Sequence, residues 1–158
     1  MPQYSLTSIG SIRVDNDGMR LVLMPQYIPA LSGLSGFSHI NALWWFDGCD
    51  TPAARAKTSE AAPYRGAPET LGTFATRSPE RPNPLALSCC EIAYIDAQNG
   101  VVWLAYIDAQ DGSPLLDIKP YTPSLDRVEQ PALPDWCTHW PRCVEASGSF
   151  DWSTVFRC

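Results

Sequence analysis

The stretch that most restricts the fold of this chain is GTFATRSPERPNPLALS, residues 72–88. It holds three prolines within six residues, at positions 79, 82 and 84. Each proline fixes its own φ, removes a backbone donor and pushes the preceding residue toward extended conformations. The stretch therefore excludes a helix and predicts a stiff loop between two extended arms. Such a loop holds side chains in place at a low entropic cost, as a binding site requires.

Short runs of apolar and β-branched residues, separated by turn signals, occupy much of the remaining chain. Little helical periodicity is present, and proline is frequent, at 15 of 158 residues. This pattern is typical of an all-β barrel or sandwich. Asp-Asn-Asp-Gly at 15–18 and Gln-Asn-Gly at 98–100 predict hairpin turns. The predicted strands cover residues 4–14, 19–24, 39–46, 71–76, 85–96 and 101–107, and a short helix is expected near 53–57.

The charge balance limits the possible partners. The formal net charge is −6, so the chain lacks the overall basic surface that is the electrostatic footprint of a nucleic-acid binder. Binding to RNA would need a local patch around Arg77, Arg81 and Lys119. A small-molecule acceptor would need no such patch.

Compartment and domain organisation follow from simple features. No basic and apolar leader and no apolar stretch of membrane-spanning length is apparent, so a cytoplasmic protein with its six cysteines reduced is expected. Adjacent Cys89 and Cys90 should point to opposite faces of a strand. We expect a β-barrel domain over residues 1–132. A tryptophan-rich tail over residues 133–158 is expected to pack on the barrel, its tryptophans acting as hydrophobic staples or, less readily, lining a pocket.

A polar cluster lies near the end of the predicted barrel. Asp117, Lys119 and Tyr121 alternate along DIKPY, which places them on one face of a strand. A carboxylate, an ammonium and a phenol on one side are candidate catalytic groups. The alternative is a salt bridge between Asp117 and Lys119 with a structural role.

Other chemically capable side chains have a weaker claim to function. His39 lies in an apolar strand, where a histidine is more often a hydrogen-bonded core residue than a catalyst. Cys137, His139 and Cys143 lack a standard zinc spacing and number only three. No P-loop and no dinucleotide-binding glycine pattern is present. If the chain binds a nucleotide-derived cofactor, it does so without a doubly wound sheet.

Three segments in order along the chain carry a family resemblance: GFSHINALWWF at 36–46, the proline loop at 72–88 and AYIDAQDGSPLLDIKPY at 105–121. Together they resemble the tRNA methyltransferase O family, also called YaeB or TsaA-like. Members use S-adenosylmethionine to methylate threonylcarbamoyl-adenosine beside the tRNA anticodon. The resemblance covers about residues 4–123. It implies a small, dimeric β-barrel with few short helices and an irregular C-terminal tail.

The resemblance also implies residues that contact the cofactor. Arg77 matches a position that binds it, although a surface arginine paired with Glu80 or Glu69 is the alternative. Leu87 matches a position that touches the cofactor, against the alternative of a plain core leucine. Gln110, Asp111, Gly112 and Ser113 match the family's Asp-Gly-Thr stretch, where Asp111 would accept from ribose hydroxyls and Ser113 would donate. The alternative for these four is an ordinary hairpin turn.

The chain departs from the family pattern at two places. The segment between the first two predicted strands is too short for the Pro-Arg-Gln contact of the tRNA-type members. Asp47 and Gly48 stand where those members carry histidine and glutamine, and we take both as candidate cofactor contacts. Three functions therefore stay open: a tRNA methyltransferase, a methyltransferase with a small-molecule acceptor, and a non-catalytic S-adenosylmethionine-binding module.

Overall fold

The computed structural model describes residues 3–157. Six antiparallel strands form a closed barrel in the order β1-β2-β7-β6-β3-β8, and β4 and β5 form a separate two-stranded sheet. The strands are β1 (Gly10–Asp15), β2 (Gly18–Leu23), β3 (His39–Trp45), β4 (Ser59–Ala61), β5 (Thr70–Gly72), β6 (Leu85–Asp96), β7 (Val101–Leu104) and β8 (Pro114–Pro120). The α-helices are Pro52–Arg55, Pro123–Asp126 and Val144–Ser147, and 3-10 helices cover Pro25–Leu31, Thr73–Ala75, Asp135–Cys137 and Trp152–Thr154.

The barrel interior is filled by alternate residues of its strands. On β3, Ile40, Ala42 and Trp44 are buried while their neighbours are only partly so, as strand periodicity requires. The indole N–H of Trp44 donates to Ser88 Oγ at 3.0 Å, which satisfies the one polar atom of a ring placed in the core. Among the described residues, the fully buried aliphatic side chains of this core are Ile12, Leu21, Ile40, Val102, Ile107 and Leu115.

The chain separates into two compact units. The first contains residues 1–50 and 84–127 and holds the barrel; the second contains residues 51–83 and 128–158. In the second unit, Tyr64 stacks on Trp136 with ring centroids 5.4 Å apart and meets Trp140 edge-on at 5.2 Å. Val155, 1% exposed, belongs to the same apolar cluster. The domain boundary near residue 132 stays a prediction.

The fold class is confirmed: the chain is mainly β, with a closed barrel and short helices. Strand β6 has its predicted bounds, and the two hairpin turns lie where the turn signals predict them. Cys90 is buried and Cys89 is half-buried, in line with opposite faces. Within residues 3–157, no helix has the length and apolarity needed to cross a bilayer.

Three strand predictions were wrong in their bounds. The first strand begins at Gly10 rather than residue 4, and β7 ends at Leu104 rather than 107. The strand predicted over 71–76 ends at Gly72, and the 3-10 helix Thr73–Ala75 follows. Side-chain hydrogen bonds favour this turn, because the Thr76 hydroxyl donates to the Thr73 carbonyl at 2.9 Å. Strand propensity alone does not reveal such a bond.

Candidate functional site

Barrel topology gathers most of the predicted cofactor residues at one end. Neighbouring barrel strands run antiparallel, so the β1–β2 turn, the end of β3, the start of β6 and the start of β8 share one end. We call this the hairpin end. Asp47 and Gly48 follow β3, Leu87 lies near the start of β6, and residues 110–113 precede β8. Segments distant in sequence therefore lie at or near strand ends on the same side of the barrel, within the first unit.

The loop at 110–113 is tied to β1 by contacts that extend the short β1–β8 pairing. The Gly112 amide donates to the Ile12 carbonyl at 2.8 Å. The Val14 amide donates to Asp111 Oδ1 at 2.9 Å, and Arg13 Nε lies 3.0 Å from the same oxygen. Asp111 therefore holds the loop against β1 through a single carboxylate oxygen, Oδ1.

Two glycines at the hairpin end adopt left-handed backbone conformations beside open space. Gly112 has φ +84° and Gly48 has φ +77°. A Cβ built on either residue would meet no atom within 4 Å. Since neither glycine carries a side chain, a ligand can approach the backbone closely at both turns. Both turns therefore leave their backbone accessible from the open side.

Asp47 and Ser113, the predicted cofactor contacts next to these glycines, differ in their exposure to solvent. Asp47 is exposed, and its Oδ1 accepts from the Gly48 amide at 3.1 Å. Ser113 is 2% exposed, and its hydroxyl donates to the Gln110 carbonyl at 2.8 Å. A hydroxyl has one proton to give. Ser113 therefore shapes the loop, and its proton is already committed there.

Leu87 lies on the outer face of the barrel. It is 48% exposed and pairs across the sheet with Leu43, which in turn pairs with Asp117. The interpretation as a plain core leucine is therefore excluded. Half-buried Trp45 pairs with Leu85, 37% exposed, in the neighbouring row. The outer face near the hairpin end is consequently apolar and partly accessible.

The candidate catalytic group is arranged along β8 and past its end. Lys119 Nζ lies 2.8 Å from Asp117 Oδ2, and this hydrogen bond raises the pKa of Lys119. The salt bridge between Asp117 and Lys119, the alternative to a catalytic role, is therefore present. Tyr121 lies beyond β8, and its amide donates to the His39 carbonyl at 3.0 Å. Because β8 runs away from the hairpin end, Lys119 and Tyr121 lie toward the other end of the barrel.

His39 is half-buried at the start of β3 and has polar neighbours. Its Nδ1 lies 2.9 Å from Ser38 Oγ, and its ring centroid lies 6.2 Å from that of Tyr121. This histidine is therefore a hydrogen-bonded residue at the end of the barrel opposite the hairpin end.

Residues 72–83 of the proline loop belong to the second unit and are held by hydrogen bonds and ion pairs within that unit. Arg81 Nη2 donates to the carbonyls of Thr73 at 3.0 Å and Thr76 at 2.9 Å. Lys57 forms ion pairs with Glu60 and Glu80, and hydrogen bonds to both carboxylates raise its pKa. These contacts explain the stiffness that the prolines predict.

Arg81 and Lys119 of the predicted basic patch bind partners within the protein. Arg81 uses Nη2 on loop carbonyls, and Lys119 is paired with Asp117. Arg77 is exposed on the braced loop. The surrounding contacts therefore leave the first two with reduced capacity for phosphate.

Cys137, His139 and Cys143 belong to no metal-binding cluster in the part of the chain that the structure describes. Cys137 is buried, and its thiol donates to the Pro134 carbonyl at 3.4 Å. Across residues 3–157, no three histidine, cysteine, aspartate or glutamate side chains come close enough to hold a metal ion.

Sequence reasoning missed Arg13 at the hairpin end. Its guanidinium pairs with Asp111 through Nε, and about half of each side chain is accessible, 46% and 45% respectively. The two residues are 98 positions apart, and only the β1–β8 pairing brings them together. No local motif contains such a pair.

A closed barrel of six antiparallel strands with short helices places this chain among small all-β barrel proteins. Residues 8–127 match the family model of the tRNA-methyltransferase O N-terminal domain. The chain belongs to this family, as its motifs predict. The match covers all six barrel strands and the proline loop.

Individual relatives agree with the family assignment. An S-adenosyl-L-methionine-binding protein of Archaeoglobus fulgidus is 37% identical over 111 residues, covering 70% of this chain and 73% of that protein. A tRNA (adenine(37)-N6)-methyltransferase of Eikenella corrodens is 42% identical over 91 residues, covering 57% and 51% respectively. A crystal structure of TrmO superposes with a TM-score of 0.66 at 29% identity, covering 84% of this chain and 64% of that one. This chain thus spans about half to three quarters of these relatives.

Proposed function

We propose that this protein is an S-adenosylmethionine-dependent methyltransferase that acts on threonylcarbamoyl-modified adenosine beside the tRNA anticodon. The observation that carries the proposal is the family match over residues 8–127. The position of the motif residues 110–113 at the hairpin end supports it. The names of the archaeal and Eikenella relatives support the cofactor and the methyltransferase class. The identity of the acceptor nucleoside is proposed in addition to the methyltransferase class.

The residues at the hairpin end fit an adenosine with a charged tail. The open backbone at Gly48 and Gly112 admits a flat, polar molecule, and Asp111 keeps one oxygen for its hydroxyl or amino groups. Leu87 offers an exposed apolar surface suited to a purine ring. Arg77 lies on the braced loop and is proposed as a further cofactor contact, because its planar fork suits an anionic or hydrogen-bond-accepting group.

The chemical demand on the protein is modest. A methyl sulfonium supplies an already activated methyl group, so the protein contributes chiefly by holding donor and acceptor in line and excluding water. If the acceptor nitrogen loses a proton, a base is needed. Asp117, Lys119 and Tyr121 remain proposals for this role, although the hydrogen bond with Asp117 raises the pKa of Lys119 and so favours its charged form.

A small-molecule acceptor is the second candidate, favoured by the net charge of −6 and by the engagement of Arg81 and Lys119. One calorimetric titration and one acceptor assay separate the candidates. Binding of S-adenosylmethionine with methyl transfer to total tRNA supports the tRNA enzyme. Binding with no transfer to tRNA leaves the small-molecule enzyme or a non-catalytic binding module, and no binding contradicts all three.

We further propose a homodimer that works in the cytoplasm. The accessible apolar outer face formed by Leu43, Trp45, Leu85 and Leu87 supports association with a second copy. Light scattering at micromolar concentration with cofactor present should report twice the chain mass. A monomer under those conditions contradicts the dimer while leaving the methyltransferase proposal intact.

A further inference from the structure

Arg13 and Asp111 form an ion pair in which each partner has unused binding capacity. A guanidinium has two edges that form paired hydrogen bonds, one with Nε and one Nη, the other with both Nη atoms. Arg13 uses Nε toward Asp111 Oδ1 at 3.0 Å. Within residues 3–157, the Nη atoms of Arg13 and Oδ2 of Asp111 have no hydrogen-bond partner. The Nη atoms of Arg13 can therefore donate to a ligand, and the adjacent Oδ2 of Asp111 can accept from it.

The pair is held in a fixed position. Arg13 lies on β1 one residue from Val14, whose amide donates to Asp111 at 2.9 Å, and Gly112 is bonded to Ile12 at 2.8 Å. Both charged side chains are nearly half accessible, and the space beside Gly112 is open. A ligand can therefore reach both groups without breaking the contacts that hold the loop.

We infer that Arg13 and Asp111 together recognise the α-amino acid end of the cofactor, Arg13 binding its carboxylate and Asp111 its ammonium. This inference rests on the proposed binding of S-adenosylmethionine. A zwitterion with adjacent opposite charges complements a fixed pair that offers adjacent opposite charges. The other arginine of this hairpin is not available for the role, because both Nη atoms of Arg20 bind Asp15 at 2.8 Å.

The test compares three probes by calorimetry: S-adenosylmethionine, its decarboxylated form, and methylthioadenosine, which lacks the whole amino acid end. Arg13→Gln should lower affinity for S-adenosylmethionine about 10- to 100-fold, the range for a hydrogen bond to a charged group, and leave methylthioadenosine affinity unchanged. It should leave affinity for the decarboxylated form nearly unchanged. Arg13→Lys should recover part of the loss because it restores the charge.

Asp111→Asn provides the complementary variant, since its amide oxygen still accepts from the Val14 amide. It should weaken both amine-bearing probes and leave methylthioadenosine unchanged. Arg20→Gln is the matched control and should not alter the ratio of affinities among the probes. Equal loss for all probes in Arg13→Gln, or no loss for any, would overturn the inference.

Failure of the inference is distinguishable from failure of the proposed function. Wild-type protein that binds S-adenosylmethionine no more tightly than methylthioadenosine contradicts the recognition of the amino acid end alone. Wild-type protein that binds none of the three probes contradicts the proposed function.

Discussion

The Asp111 carboxylate accepts the Val14 amide at 2.9 Å, so a side chain continues the pairing between β1 and the segment before β8. Strands β1 and β8 pair Gly10 with Leu115 and Ser11 with Pro114, and backbone hydrogen bonds join Ile12 to Ser113 and Gly112 beyond β8. The loop at residues 110–113, which bears candidate cofactor contacts, is thus bonded to β1. Its geometry depends on the left-handed turn at Gly112.

Gly112→Ala tests that turn. Alanine at φ +84° is strained by about 1–2 kcal/mol whatever the available space, so the free energy of unfolding should fall by about that amount. Urea unfolding measures the change. The matched control is Gly148→Ala, where φ is −66° and the nearest atom to a new Cβ is 3.9 Å away. Comparable losses in the two variants would show that the turn is not strained.

Arg77→Ala tests the contribution of the proline loop to cofactor binding. Removal of a hydrogen bond to a charged group should weaken S-adenosylmethionine binding by about 1.5–3 kcal/mol, measured by calorimetry. The stability of the protein should change little, because Arg77 is exposed. Arg142→Ala, at an exposed arginine of the same unit, serves as the control and should bind normally. Unchanged affinity in Arg77→Ala removes this residue from the site.

Arg81→Ala should act on stability instead. Its guanidinium joins the carbonyls of Thr73 and Thr76, so its loss should lower the free energy of unfolding by about 1.5–3 kcal/mol and loosen the loop. Thermal unfolding and proteolysis within 73–84 measure the two effects. A variant with wild-type stability and reduced tRNA binding would instead assign Arg81 to phosphate.

Cys90 provides a prediction of pH dependence. Burial raises the pKa of its thiol from 9.0 to about 12, so the unfolded thiol ionises before the folded one. Its contribution to stability is complete below pH 9.0 and is lost progressively as the pH rises toward 12. Cys90→Ala should therefore show a shallower decline in the free energy of unfolding over that range than Cys143→Ala, whose cysteine is exposed. Identical slopes would contradict the burial effect.

Much of the fold could be predicted from local signals. The turn at 15–18 and the apolar run at 39–46 locate β1, β2 and β3, and the proline spacing explains the irregular path of 73–84. The missed bounds have nonlocal or side-chain causes, such as the Thr76 hydrogen bond that forms a 3-10 turn. Secondary-structure propensities of single residues do not include such hydrogen bonds.

The candidate site was predictable only in part. Family motifs indicate residues 110–113 and Leu87, yet they do not reveal that Ser113 is buried or that Leu87 lies outside the core. Arg13 carries no motif signal, because its partner is brought near by barrel closure. Residue types identify the chemistry, and only the register of the barrel shows which groups meet.

The most direct test of the central claim is methyl transfer to tRNA. Protein, S-adenosylmethionine and tRNA bearing threonylcarbamoyl-adenosine are incubated together, and the digested nucleosides are examined by mass spectrometry. We expect a methyl group to replace one hydrogen of threonylcarbamoyl-adenosine, so that its mass rises by that of CH2, and S-adenosylhomocysteine to form in equal amount as a proton is released. tRNA without the threonylcarbamoyl group should remain unmodified. Bound S-adenosylmethionine with neither product would contradict the account.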